Sequence, residues 1–223
     1  MENKMLFDVR NVEFRSRSAK IIKGVSFSIS KGDVLCFSGR SGSGKSTLLK
    51  LAAGIYVPTG GKVLYSGVDI QAMSNAQNLD FRRKCPFVFQ DAALLANQDI
   101  QQNLSLPLTT HFPKMDGKER LERIKDACSL VGFERSLYLR PVDLSLGEQK
   151  KVAFARALLT RPETLFLDEC TESLDRKGSG MIVNILKEFI ENGGTVVYVS
   201  HSSSFISEIG GRVLAVDEGS LSG

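Results

Sequence analysis

The chain has 223 residues, 42% of them hydrophobic and 24% charged, with a formal net charge of +4. These values are ordinary for a soluble globular protein of one domain, or a domain with a subdomain, around a substantial core. No apolar run approaches the roughly 18 to 20 residues that span a bilayer, so work at a membrane would need another chain to carry this one there.

The N-terminal segment 1–8 contains acidic residues and no long apolar core, so no signal peptide is expected. Strand-like runs follow at 5–14, 25–29, 34–37 and 62–65, and the alternating ones among them predict an added antiparallel sheet. Directly after the apolar run 34–37 come Gly39, Arg40, Ser41, Gly42, Ser43, Gly44, Lys45, Ser46 and Thr47, a complete G-x-x-x-x-G-K-[ST] loop. A helix predicted over 47–53, closed by Gly54, completes a strand–loop–helix unit. Such a unit aims backbone N–H groups and a positive helix end at one point, which binds an anion such as a nucleotide triphosphate. Lys45 would reach the β- and γ-phosphates, and Ser46 would offer its hydroxyl to Mg²⁺. A stray lysine in a Gly/Ser-rich turn would lack those flanking elements.

Next comes the apolar run 86–89, which ends at Gln90, and then a helix-rich middle from about 100 to 160. Within it, residues 110–117 read as a surface loop leading into a charged helix over 118–131. Residues 143–149 open a further helix predicted over 150–159. Strands at 164–167, 195–199 and 212–216 then alternate with a helix at 179–192, the pattern of a parallel sheet covered on both faces. The first of these strands ends in Asp168 and Glu169. Two carboxylates at the carboxyl end of a parallel strand stand on the ligand-binding edge of an open α/β sheet. Asp168 is suited to hold Mg²⁺, directly or through water, and Glu169 to polarise the attacking water. Alone, the pair would be a strand running into a polar turn; with the upstream loop it supplies the second half of a Mg–nucleotide site. Cys36, Cys85, Cys128 and Cys170 are scattered with no C-x-x-C pair, and read as reduced thiols of a cytosolic protein.

Three further features carry a resemblance. They are the stretch from Leu144 through Ser145, Leu146 and Gly147 to Glu148, Gln90 at its place before the helical middle, and His201 after the strand at 195–199. Together with Ser173, Leu174 and Asp175 after the acid pair, they resemble the nucleotide-binding domain of ABC transporters over nearly the whole chain. The resemblance implies an α/β P-loop fold with a mostly parallel core sheet and an N-terminal antiparallel β-subdomain. It also implies a helical subdomain at about 91–160, inserted within one domain of 1–223. It further implies an ATPase in which two copies sandwich two ATPs head to tail. Ser145, Gly147, Glu148 and Asp175 would then contact the ATP or the face of a second subunit. By the same resemblance Gln90 senses Mg²⁺, and His201 holds the γ-phosphate and orients the water. The implied partners are ATP, a transmembrane permease and a second ATPase subunit. No nucleic acid is expected, and the implied location is cytoplasmic, peripheral on the inner face of the cell membrane.

Three positions depart from the family pattern. Ser16 stands where an aromatic residue usually stacks on adenine, and Phe14, two residues earlier, reads as core. Leu146 replaces a signature glycine, and Cys170 replaces the proline after the catalytic glutamate. Segments 90–95 and 103–108 resemble ATPases of phospholipid-trafficking systems, a segment shared with the lipoprotein-release, macrolide-efflux and cell-division branches. The chain stops soon after Glu218 and Gly219, so no regulatory tail is expected. One set of motifs and no heptads favour transport over the alternative, a non-transport ABC ATPase acting in cell division or on a nucleoprotein partner.

Overall fold

The computed structural model describes residues 4–16 and 19–222; residues 1–3 of the segment read against a signal peptide lie outside the described residues. The chain divides into two compact units, one built from Met1–Asn78 and Ile190–Gly223, the other from Leu79–Phe189.

The first unit holds an antiparallel sheet of β1 (Met5–Arg15), β2 (Lys20–Ser30), β4 (Gly60–Tyr65) and β5 (Val68–Asp69), in the order β2-β1-β4-β5. This is the antiparallel sheet expected at the front of the chain. Phe7, Val9, Val12, Ile22, Val25 and Ile29 are buried, as a sheet with a covered face requires. Beside it run β3 (Val34–Ser38), β8 (Thr195–Val199), β9 (Arg212–Asp217) and β10 (Ser220–Ser222), ordered β10-β9-β3-β8. Strand β3 is parallel to both β8 and β9, and only β10 reverses direction. Every residue of β8 is buried, which explains why it reads as an unbroken apolar run. The helices here are α1 (Lys45–Ala52) and α7 (Ser203–Ile209).

The second unit holds the parallel pair β6 (Phe87–Val88) and β7 (Thr164–Asp168), with β7 wholly buried. Its helices α3 (Ile100–His111), α4 (Gly117–Leu130) and α5 (Leu146–Leu158) pack on one another. Ile100, Leu104 and Leu108 recur every four residues along α3 and are fully buried, forming the stripe that holds it. Asp99, Asp116 and Ser145 cap the three helices by accepting from the backbone N–H three residues on. Two helices, α2 (Asn75–Lys84) and α6 (Arg176–Glu191), run across the boundaries between the units.

Two of these helices are unforeseen, as are the short strands β5 and β10. Helix α2 buries only Phe81, so it shows no apolar stripe, and α7 is a seven-residue helix that starts inside a run of serines, too short to show a period. Helix α5 begins at Leu146, four residues before the predicted start. All four cysteines are buried. Among the described residues no helix is long and apolar enough to cross a membrane.

Candidate nucleotide site

In the first unit, residues 39–47 join the carboxyl end of β3 to α1. Gly39 has φ 137°, and a Cβ there would collide with the Val216 carbonyl, so the tight departure from β3 needs glycine. No side chain caps α1 and no acidic residue sits in its first turn, which leaves the positive helix end open to an anion. Lys45 is 5% exposed, and its Nζ donates to the Gly39 and Arg40 carbonyls at 3.0 and 2.8 Å, folded back over the loop. The buried Ser43 hydroxyl has no hydrogen-bond partner among the described residues, a group that a phosphate oxygen would satisfy. Ser46 and Thr47 follow Lys45 in the first turn of the helix, half-buried. Because Phe37 pairs with Val199 in the parallel β3–β8 ladder, His201 leaves the same sheet edge as the loop, and its side chain is exposed. Thus Lys45, Ser46 and His201 belong to one edge of this unit.

In the second unit, Val88 pairs with Leu167, which puts Gln90 and the acids at the carboxyl ends of neighbouring parallel strands. Asp168 is 1% exposed and Glu169 8%. Glu169 has φ 50°, a left-handed backbone that side chains disfavour. Lys150, on α5, is buried; its Nζ donates to the Glu169 carbonyl at 2.6 Å and lies 3.8 Å from Glu172 Oε2. Burial pulls the Lys150 ammonium below the ordinary lysine value, against the attraction of Glu172. Gln90 Nε2 donates to the same Glu172 oxygen at 3.0 Å. Beyond Gln90 the chain is stitched down. Arg156 donates to the Ala92 and Ala93 carbonyls at 3.0 and 2.9 Å. The buried Asn103 amide accepts from Leu95 N–H and donates to the Leu95, Gln98 and Asp99 carbonyls. Lys150, Glu172, Asn103 and Arg156 carry no local motif, and sequence reading missed them.

Ser145, Gly147, Glu148 and Asp175 meet in a third place, a cavity of about 590 Å³ at the N-terminus of α5. Ser145 and Glu148 form a capping box: Glu148 N–H donates to Ser145 Oγ at 3.2 Å, and Ser145 N–H donates to Glu148 Oε2 at 2.8 Å. The Ser145 N–H, then its hydroxyl and Arg135, hold the Glu148 carboxyl below its ordinary range. A Cβ at Gly147 would lie 2.9 Å from the Ser173 carbonyl, so glycine lets the 173–175 turn approach α5. Asp175 caps the start of α6 by accepting from Gly178 N–H at 2.7 Å. Leu146 is 66% exposed and takes no part in the core. Cys170 is buried, and burial pushes its thiol up to about 12, as befits an inert packing residue. Ser16 is exposed, while the half-buried Phe14 ring stacks on Tyr56 at 5.2 Å with the planes 6° apart.

A strand–loop–helix cradle with an uncapped helix end and a buried lysine defines a P-loop nucleotide-binding protein. A model of the ABC transporter family matches residues 22–172. The chain is 36% identical over 202 residues to the cell division ATP-binding protein FtsE of Escherichia coli (strain K12), covering 91% of this chain and 90% of that protein. It is 34% identical to the methionine import ATP-binding protein MetN of Cutibacterium acnes, covering 97% of this chain and 60% of MetN. The dimeric post-hydrolysis structure of the ATP-binding cassette MJ0796 bound to ADP and Pi superposes with a TM-score of 0.90 at 30% identity, covering 98% and 97% of the two chains. The structure of cbiO1 from Clostridium perfringens, part of the ABC transporter complex cbiONQ, gives 0.78 at 27% identity, covering 98% and 87%. The chain belongs to the ABC transporter family, as an ATP-binding, ATP-hydrolysing subunit.

Proposed function

We propose that this chain binds Mg-ATP on residues 39–47, hydrolyses it with Glu169 and His201, and works as a pair of copies that close head to tail on two ATPs. The observation that carries the reading is the cavity at the N-terminus of α5. Ser145, Gly147, Glu148 and Asp175 line a cavity at a helix end, which suits a nucleotide carried by a second copy. In the proposed division of labour Lys45 leaves its loop carbonyls for the β- and γ-phosphates. The amides of 39–47 bind those phosphates, Glu169 takes the proton of the attacking water, and His201 orients that water against the γ-phosphate.

Mg²⁺ fits the donors available. Among the described residues no group of three or more His, Cys, Asp or Glu could cage a metal. Mg²⁺ is held through one or two carboxylates and substrate phosphates, so Asp168, the Ser46 hydroxyl and the Gln90 amide are its proposed holders, and the ion neutralises phosphate charge when bound. We assign the chain a peripheral place at the cytoplasmic face of the membrane, attached to a separate permease. A lipid or other hydrophobic cargo is supported by the resemblance of segments 90–95 and 103–108. A cell-division role without transport is supported by the similarity to FtsE.

The test uses Glu169→Gln, which keeps the phosphate loop and removes the proton acceptor. Hydrolysis should fall at least about a hundredfold, the scale of general-base loss, while Mg-ATP binding persists. Light scattering should show a nucleotide-free monomer becoming a dimer with Mg-ATP. A nucleotide-loaded chain that stays monomeric at high concentration overturns the pairing, and near-normal hydrolysis overturns Glu169. Copurification of the membrane partner decides between the cargo readings.

A further inference from the structure

The carbonyl that opens the turn after β7 accepts from a buried cation and from the Glu172 N–H, the latter at 3.2 Å. Lys150 stands on α5, in the turn after Ser145 and Glu148, and its side chain runs inward to a position 6% exposed. The ammonium donates to the Glu169 carbonyl at 2.6 Å. Beside that carbonyl stands an anionic neighbour, Glu172 Oε2, at 3.8 Å, the atom that also accepts from Gln90 Nε2. The Glu169 backbone is left-handed, a conformation that persists only where surrounding groups hold it. Fixing the carbonyl of a residue fixes its ψ, and with it the direction in which the Cα–Cβ bond points. A buried ammonium, in turn, stays in place only where acceptors satisfy it, and this one has a carbonyl and a carboxylate.

We propose that Lys150 is a positioning residue for the Glu169 carboxylate, and that through Glu172 it ties the aim of that carboxylate to Gln90. The inference rests on the reading of Glu169 as the proton acceptor. Removing the ammonium takes the shorter of two hydrogen bonds from a buried carbonyl, leaves it the Glu172 N–H at 3.2 Å, and loosens the strained peptide, so the carboxylate loses its aim while the nucleotide-binding loop is untouched. An ångström of misplacement at a reacting group costs up to about a hundredfold in rate.

Lys150→Met keeps the length and apolar stem of the side chain and removes the donor. Single-turnover hydrolysis and equilibrium ATP binding of the full chain should show the rate falling about ten- to a hundredfold, with affinity within about twofold of the parent. The decisive measurement is the double-mutant cycle with Glu169→Gln. A residue that acts only through Glu169 has nothing left to position, so Lys150→Met should slow the Glu169→Gln protein by less than about twofold. A purely structural role would lower both backgrounds by the same factor and would overturn the proposal. An unchanged rate in the single variant, or a loss of ATP affinity that accounts for the rate, overturns it as well. Should Lys150→Met fail to fold, Glu172→Ala carries the test from a side chain that is 55% exposed. It should slow turnover about three- to tenfold, again only where Glu169 is present, and an equal effect in both backgrounds overturns the link. Near-normal hydrolysis by Glu169→Gln alone would instead remove the catalytic reading, a separate result from any of these.

Discussion

Ser145 has two roles that its substitutions pull apart. Within its own chain the hydroxyl accepts from Glu148 N–H at 3.2 Å and donates to Glu148 Oε2 at 2.9 Å, closing the box that starts α5. Across a pair of copies it would donate to a γ-phosphate. Replacing an N-cap serine by alanine costs about 1 kcal/mol, and by glycine only a few tenths. For a chain of this length 1 kcal/mol moves the midpoint of thermal unfolding by about 2–4 °C, so Ser145→Ala should melt about 3 °C lower and Ser145→Gly within about 1 °C of the parent. A hydrogen bond to a charged phosphate is worth about 1.5–3 kcal/mol, so losing it should slow turnover about ten- to a hundredfold in both variants alike. Thermal scans beside steady-state ATPase rates separate the two scales. If Ser145→Gly turns over normally while Ser145→Ala is slow, turnover follows helix capping and the phosphate role is refuted. Acid gives a further check. The Glu148 carboxyl lies below its ordinary 4.5, so its contribution is complete above that value and is lost as pH falls through the lowered one. The stability difference between Ser145→Ala and the parent should therefore shrink as pH falls below 4.5.

Other outcomes are equally open to measurement. Ser16→Tyr should supply a stacking face for the base and tighten ATP binding about tenfold, since base–aromatic stacking is worth about 1–3 kcal/mol; unchanged affinity by calorimetry would mean that another residue already stacks. Lys45→Ala should lose both nucleotide binding and hydrolysis, whereas His201→Ala should keep binding and lose turnover; a His201→Ala protein with normal turnover would remove that side chain from the chemistry. Burial pushes the Cys128 and Cys170 thiols up to about 11 and about 12, so a thiol reagent at pH 8 should label neither in the folded chain and all four cysteines once it unfolds. Rapid labelling of the native protein would contradict that packing.

How legible the molecule is from its sequence depends on how far apart its interacting residues lie. The phosphate loop, the acid pair on β7 and the Ser145–Glu148 box are each made within a few consecutive residues, and composition and spacing expose them directly. Strands β7 and β8 announce themselves because both of their faces are covered. Helix α2 does not, because only one of its ten residues, Phe81, is buried. The supporting groups are hidden for a different reason. Lys150 reaches Glu169 across 19 residues, Arg156 reaches Ala92 across 64, and Gln90 reaches Glu172 across 82. No periodicity links such positions; only the packed helices and strands bring them together. The left-handed backbone at Glu169 is likewise invisible, since glutamate carries no signal for it.

The strip of chain after Gln90 has a mechanical character. Ala92 and Ala93 are both left-handed, with φ 63° and 46°, and their carbonyls are gripped by Arg156 of α5. A few residues on, the Asn103 amide of α3 makes four bonds to the same strip. A connector riveted at both ends has little slack. A push delivered near Gln90 is passed to α3 and α5 as a displacement of whole helices, where an unanchored connector would soak it up as bending. The Leu95 amide measures that stiffness directly. Its hydrogen is held by Asn103 Oδ1 at 2.7 Å, and it exchanges with solvent only when that side chain lets go.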